Sequence, residues 1–504
     1  MSLKSLIFPL AALVLLGATA SAQTARPNIV FVLTDDQGYG DISAHGNPIL
    51  KTPNLDALRA QSVRFTDFHV SPTCAPTRSA IFTGRHEFKN GITHTIYERE
   101  RLTLNATTLA QALKGAGYTT GIFGKWHLGD EDAYQPGQRG FDEVFIHGGG
   151  GIGQTYPGSC GDAPGNTYFD PAILHNGKFE KTQGYCTDVF FAQAGKWIDQ
   201  VKARNTPFFA YIATNAPHAP YNARPEDAAL YRGKAPDEQT ANFFGMVHNI
   251  DENVGRLLAQ LERAGLAQNT LVIFMSDNGG TAGAKVHNAG MRAQKGSPWF
   301  GGTRANSFWR WPGRFQPADV SAFTAHIDVF PTLADVTGMK LEPKVRAQIE
   351  GRSLLPLLEK PTANWADRTL VTHVGRWPKN GDPGPAKFRN CSVRDARWQM
   401  VSIDGGTQPA WQLFDLKSDP AQQKDVSQAH PEVVQRLAAH YDQWWVSVQP
   451  MLVNEKVLGP KLNPFAERYW KQYGGGPTPE QIRHMDPNRD PLAENQGKAK
   501  KKKA

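Results

Sequence analysis

Four cysteines in 504 residues are too few for a disulfide framework, and one of them is placed to do chemistry. Cys74 lies in the run Ser-Pro-Thr-Cys-Ala-Pro-Thr-Arg-Ser-Ala, residues 71–80, two positions before Pro76 and four before Arg78. A thiol at a helix start beside a cation is a nucleophile or the precursor of one. The same residues also describe a small buried cysteine next to a helix, the usual state of a free thiol. Whether other reactive residue types converge on Cys74 decides between the two.

Four apolar runs end in short polar clusters. Asp35 and Asp36 follow residues 28–34, Lys125 and His127 follow 118–123, His218 follows 208–214, and Asp277 and Asn278 follow 271–275. Each cluster alone is ordinary turn chemistry. Together, at the carboxyl ends of strands, they mark the edge where open α/β sheets bind ligands. Three carboxylates and an amide suit a hard divalent cation, calcium or magnesium, rather than zinc. The neighbouring carboxylates Asp35 and Asp36 ionise together in a cleft only when positive charge neutralises them. Arg78, Lys125 and Lys295 supply charge for a tetrahedral oxyanion. His127 and His218 exchange protons near neutral pH. The set predicts hydrolysis of an anionic ester, a sulfate or a phosphate.

The elements that must position these residues alternate. Residues 28–34 (Asn-Ile-Val-Phe-Val-Leu-Thr) read as a strand buried on both faces. Further strands are expected at 63–68, 118–123, 208–214 and 271–275. Helices are expected from Thr52-Pro53-Asn54 to Gln61, and at 79–83, 107–114, 187–203, 242–264 and 327–336. This alternation predicts an α/β fold, a large mostly parallel sheet flanked by helices. After Asp367, short strands at 369–374, 391–393, 398–403 and 412–415, with an amphipathic helix at 431–447, predict a smaller antiparallel α+β domain. The expected division is a signal peptide (1–22), a catalytic α/β domain (27–366), a C-terminal α+β subdomain (367–450) and an extended tail (451–504). From about Pro460 the tail is rich in Pro, Gly and charge and has no sustained period. Residues 148–165 form a glycine-rich excursion near a surface or pocket.

Lys4, the short apolar run 6–16 and Ala20-Ser21-Ala22 have the form of a secretory signal. The run is too short to span a bilayer, and no later one is long enough. The expectation is an exported protein, periplasmic or secreted, without a membrane span. Of the net charge of +8, Lys4 and the five lysines in the last seven residues account for all but about +2. The lysine-rich end reads as a solvated terminus, and export argues against a nucleic-acid partner. In an oxidising compartment Cys160 and Cys186 either pair across the glycine-rich segment or stay reduced, and the sequence leaves both open. Cys391 has no evident partner.

Cys74-Ala75-Pro76-Thr77-Arg78 resembles the Cys-x-Pro-x-Arg signature of the type I sulfatases, formylglycine-dependent enzymes of the alkaline-phosphatase-like superfamily. Thr77 stands where that family most often has Ser. Gly124-Lys125-Trp126-His127-Leu128-Gly129 resembles its second signature without departure. Asp35-Asp36-Gln37-Gly38-Tyr39-Gly40-Asp41 and Ser276-Asp277-Asn278-Gly279 resemble its metal segments. Lys295-Gly296-Ser297-Pro298-Trp299-Phe300-Gly301-Gly302-Thr303-Arg304 resembles its late lysine motif, with Phe300 where Glu is usual. Residues 411–425 resemble its C-terminal domain, and the likeness runs from about Pro27 to His440.

The resemblance implies cleavage of an aryl or carbohydrate sulfate monoester. It implies one calcium, in preference to magnesium, bound by Asp35, Asp36, Asp277, Asn278 and the modified Cys74. It implies a formylglycine-generating maturation enzyme that converts Cys74 before folding. In the hydrated aldehyde one hydroxyl attacks sulfur, with Arg78 orienting it and Asp277 accepting its proton, and the second expels sulfate with His127 as base. Lys125 and Lys295 stabilise the sulfate oxygens, and His218, with Lys295, protonates the leaving alcohol. Arg304 joins Lys125, His218 and Lys295 as substrate-binding residues. Two other readings use the same residues: a formylglycine-dependent phosphonate monoester or phosphodiester hydrolase, and a non-catalytic protein that binds sulfated glycans with Cys74 unmodified.

Overall fold

Every residue of the first strand, β1 (Asn28–Thr34), is buried, because both of its faces are covered. Side chains alternate across a strand. Ile29, Phe31 and Leu33 accordingly enter one core with Ile81, Phe82, Leu113 and Phe330. Val30 and Val32 enter the opposite core with Phe190, Ile198, Met246 and Ile250. A continuous apolar run is what a central strand between two helix layers requires.

The computed structural model describes residues 26–487 and 489; the expected signal peptide and lysine-rich end lie outside them. The strands of its first half are β2 (Val63–Phe65), β3 (Phe68–His69), β4 (Thr119–Lys125), β5 (Glu143–His147), β6 (Ala172–His175), β7 (Lys178–Lys181) and β8 (Phe208–Ala213). There follow β9 (Thr270–Ser276), β10 (Ser307–Arg310), β11 (Ala318–Val320), β12 (Thr324–Ala325), β13 (Leu370–His373), β14 (Arg389–Arg394), β15 (Trp398–Asp404) and β16 (Gln412–Asp415). Ten of these form one sheet in the order β11-β2-β10-β9-β1-β8-β4-β5-β6-β7. Its centre, β9-β1-β8-β4-β5, is parallel, and β10, β6 and β7 pair antiparallel with their neighbours. The helices Cys186–Lys202 and Glu238–Arg263 cover one face; Cys74–Thr83, Leu109–Gly115 and Val329–Thr337 cover the other. The expected α/β class holds.

Two local differences from the sequence reading bear on the site. The helix expected at 79–83 begins at Cys74, so the thiol sits in its first turn. Pro76 does not oppose this, because the first turn of a helix leaves its N–H groups unused. β4 runs on to Lys125, which places that lysine at the strand end. Gly124 permits the extension: its φ is 109°, and a Cβ there would lie 2.0 Å from the Ala213 carbonyl oxygen.

The second, four-stranded sheet β13-β14-β15-β16 is antiparallel throughout. Val433, Leu437 and Tyr441 of the helix Pro431–Val448 close its core against Val393, Met400 and Leu413. This sheet braces the segment that carries Lys295. The Ser392 hydroxyl and Gln399 Nε2 both donate to the Pro298 carbonyl, and Trp299 packs between Val401 and Phe414. All four cysteines are reduced and buried, so Cys160 and Cys186 do not pair.

Beyond Pro460 the chain is not merely extended: the helices Pro464–Tyr473 and Pro479–His484 form there. Asn463 caps the first through its side chain, and Phe465 and Ala466 are fully buried. Phe465, Ala466, Tyr469, Trp470 and Tyr473 recur on one face of this helix, and that face docks on the rest of the chain. Phe465 lies on Gly148, where a Cβ would fall 2.6 Å from its ring, and Asn463 Nδ2 donates to the Ser159 carbonyl at 2.5 Å. The helix therefore clamps the glycine-rich excursion. Phe465→Ala is expected to cost about 3 kcal/mol in urea denaturation. A loss below about 1 kcal/mol would show that the helix is not docked.

Candidate active site

The carboxyl ends of β1, β4, β8 and β9 meet at one edge, as the four polar clusters predicted. Asp35 and Asp277 are fully buried there, and Asp36 is nearly so. Asp36 has a φ of 68°, rare for a residue with a side chain, and its N–H donates to Asp277 Oδ1 at 3.2 Å. Three carboxylates without water need cations, and each has one. Lys125 Nζ reaches Asp35 Oδ2 at 2.5 Å, and Lys295 Nζ reaches Asp36 Oδ1 at 2.6 Å. Arg78 places Nε and Nη2 on Asp277 Oδ2 at 3.1 and 2.8 Å. It reaches them from one turn beyond Cys74 on the same helix, and its Nη1 donates to the Lys125 carbonyl.

Cys74 belongs to this cluster. Its Sγ and single oxygens of Asp35 and Asp277 lie within 4.8 Å of one another, as do single ligand atoms of Asp35, Asp36 and His218. Burial works against the Cys74 thiolate, but Lys125 and Lys295 outweigh it and hold the thiol below its ordinary pKa. Burial also opposes the Asp35 charge, yet Lys125, with His218, Arg78 and Lys295, holds that carboxyl below the usual range. Burial and then the Asp35 charge push Asp277 well above it. Asp35 Oδ1 and Asn278 Oδ1 are buried acceptors without a partner. Buried oxygen donors with unmet acceptors fit a hard divalent cation.

The two histidines flank the cluster differently. His218 Nδ1 bonds the Ala219 carbonyl at 2.6 Å, and its Nε2 lies 3.8 Å from Asp36 Oδ2. His127, at a φ of 59°, bonds the Thr95 carbonyl through Nε2 at 2.8 Å, which leaves Nδ1 buried and unpartnered. Burial, then the Lys125 charge, hold its pKa well below the ordinary value, so the ring is neutral. The glycine-rich excursion lies against both histidines. A Cβ on Gly150 would meet His127 Cε1 at 2.9 Å, and Gln154 Nε2 donates to the Ala219 carbonyl.

Arg304 is not drawn into this cluster. Its Nε and Nη2 both donate to the Thr66 carbonyl, and its guanidinium covers the Tyr39 ring at 4.1 Å. Phe300 is a core residue beside Tyr39 and Met291, with the Arg394 guanidinium 4.8 Å from its ring. The sequence reading passed over Thr95, whose carbonyl fixes His127, and Tyr211. The Tyr211 phenol points among Arg78, Asp277 and Asp35, and burial raises its pKa. A backbone acceptor leaves no trace in residue type. One tyrosine inside an apolar strand is a faint signal, a polar atom where none is needed for packing.

Buried carboxylates, compensating cations and a helix-start cysteine at the carboxyl edge of a parallel sheet define a hydrolase of anionic esters. The sulfatase family profile matches residues 27–339, and a profile for the C-terminal part of N-sulphoglucosamine sulphohydrolase matches 302–444. Arylsulfatase G of Rattus norvegicus is 31% identical over 494 residues, covering 86% of this chain and 88% of its own. N-acetylgalactosamine-6-sulfatase of Mus musculus is 33% identical over 389 residues, 71% of each chain. Among solved structures, Ps i-CgsB in complex with k-i-k-neocarrahexaose superposes with a TM-score of 0.72 at 29% identity, covering 83% of this chain and 92% of that one. The chain belongs to the sulfatase family, type I, of the alkaline-phosphatase-like superfamily. It hydrolyses sulfate esters, and these likenesses favour neither phosphonate hydrolysis nor binding without catalysis.

Removing Arg78 would leave Asp277 buried without its cation. Arg78→Ala is expected to cost about 3–5 kcal/mol, read from urea denaturation in the presence of chelator. A change below about 1 kcal/mol would mean that the pair is not holding charge in the core.

Proposed function

We propose that the chain is an exported, calcium-dependent carbohydrate sulfatase whose nucleophile is formylglycine at position 74. The observation that carries this is the placement of Cys74 in the first turn of a helix, among Asp35, Asp277 and, one turn on, Arg78. Hydrated formylglycine supplies two hydroxyls on one carbon, one to attack sulfur and one to release sulfate. A thiol has no second hydroxyl, so Cys74 itself is read as a precursor made by a maturation enzyme. Asp35, Asp36, Asp277 and Asn278 would hold the cation, with the residue at 74 as a further ligand, and the cation would supply Lewis-acid stabilisation of sulfate oxygens.

This chain's own groups do the rest. Arg78, fixed on Asp277 and the Lys125 carbonyl, orients the residue at 74. Lys125 and Lys295 face the sulfate oxygens and neutralise charge gathered there. Asp277 accepts a proton at its carboxylate when attack begins. The His218 Nδ1–H is committed to the Ala219 carbonyl, so Nε2 delivers the proton to the leaving alcohol. His127 is neutral with its proton on Nε2, so the lone pair on Nδ1 is the base that frees sulfate. A carbohydrate ester is favoured over a simple aryl sulfate because the 29%-identical structural relative is recorded with a neocarrahexaose. Among the described residues no helix is long and apolar enough to cross a membrane.

Mass spectrometry of the peptide containing Cys74, from protein made with a competent maturation enzyme, is expected to show the aldehyde. Thiol alone would sink the proposal. Cys74→Ala should lower kcat/KM on p-nitrophenyl sulfate by a factor on the order of 10³.

Chelation should abolish turnover, and added calcium should restore it better than magnesium does. Activity that survives exhaustive chelation would remove the metal from the mechanism.

A further inference from the structure

Among the residues with side chains that adopt a left-handed backbone in and beside the site are Asp36, His127, Tyr97 (φ 59°) and Arg376 (φ 61°). Such strain persists where the surroundings over-determine it, and it gathers at functional sites. Asp36 and His127 belong to the cluster already described. Tyr97 and Arg376 lie on two segments joined to each other just outside it. The Arg376 N–H donates to the Thr93 carbonyl at 3.0 Å, and Gly375 sits so close to Thr93 that a Cβ would fall 2.1 Å from that same oxygen.

This junction sets the Arg376 side chain on Thr95, next to His127 of the site. Its Nη2 donates to Thr95 Oγ1 at 3.1 Å, while the carbonyl of Thr95 accepts from His127 Nε2 at 2.8 Å. One threonine thus links the proposed base to an arginine delivered from beyond β13 in the C-terminal part. On the other flank Tyr156, from the glycine-rich excursion, packs on Ile96, Tyr97 and Cys160. The charges of Cys74, Arg376 and Lys295 all act on its phenol.

Arg376 differs from its cationic neighbours. Arg99 is matched by Glu455 at 3.2 Å, and Arg101 is paired with Glu131. Lys379 lies 4.0 Å from Glu98. Arg376 is exposed, and among the described residues no carboxylate lies within ion-pair distance of it. A guanidinium held by a single hydroxyl keeps most of its fork free for a planar or tetrahedral anion. We infer that Arg376 is a specificity residue that binds a second anionic group on the substrate, a carboxylate or another sulfate beside the one being cleaved. The inference rests on the carbohydrate sulfatase reading and narrows its substrate class to polyanionic glycans.

The test compares glucosamine 2-N,6-O-disulfate with glucosamine 6-sulfate, which share a sugar and differ by one anion. Binding is measured calorimetrically on the full chain. The disulfate is expected to bind wild type about tenfold more tightly. In Arg376→Gln that preference falls to about twofold or less, and Arg376→Lys keeps part of it. In turnover the loss appears in KM rather than kcat. A wild type without preference for the disulfate overturns the inference, as does a preference that survives Arg376→Gln. Equal weakening for both sugars also overturns it, since that would assign Arg376 a role through Thr95 and His127. Because binding is read without turnover, an inactive wild type would count against the proposed reaction alone.

Discussion

Three carboxylates placed at one dry edge of a sheet govern much of this molecule. Asp35, Asp36 and Asp277 repel one another where water cannot screen them, and the fold answers with three cations from three different elements. Arg78 comes from a helix, Lys125 from a strand end and Lys295 from a loop. None is close in sequence to the carboxylate it meets. The sheet order, the helix on its face and the braced loop must all be right before the charges balance. The acceptors left unmet, Asp35 Oδ1 and Asn278 Oδ1, are what suit the edge to a divalent cation.

The second sheet is part of this arrangement. It fixes Pro298 and Trp299, and through them the reach of Lys295. It also carries Arg376 to Thr95. A braced loop holds a lysine more accurately than a free one, and accuracy matters where a charge must face a small anion.

The fold class and much of the site were legible in the residues. β1 announced itself because a strand covered on both faces must be apolar throughout. The strand-end clusters announced themselves because Asp35, Lys125, His218 and Asp277 interrupt apolar runs at comparable places. Cys74 was read at a helix start, but the helix itself only from residue 79, since Pro76 suggests a break until the first-turn exemption is considered. Arg304 was placed by a motif, which conveys proximity in sequence, whereas its guanidinium meets the Thr66 carbonyl and the Tyr39 ring. The helix Pro464–Tyr473 was missed although Asn463-Pro464 and the apolar spacing 465, 466, 469, 470 and 473 mark it; its place in the fold depends on partners some 300 residues earlier, such as Ser159 with Asn463.

That dependence has a consequence in time. Asn463 and Phe465, which hold the glycine-rich excursion against the cleft, lie near the carboxyl end of the chain. A chain made from its amino end completes β1, the Cys74 helix and both histidines long before these residues exist. The contacts that Asn463 and Phe465 make with Ser159 and Gly148 therefore form only after nearly all of the chain has been made. Cys74 is 3% exposed in the folded chain, so a large reagent would meet it only before folding is complete.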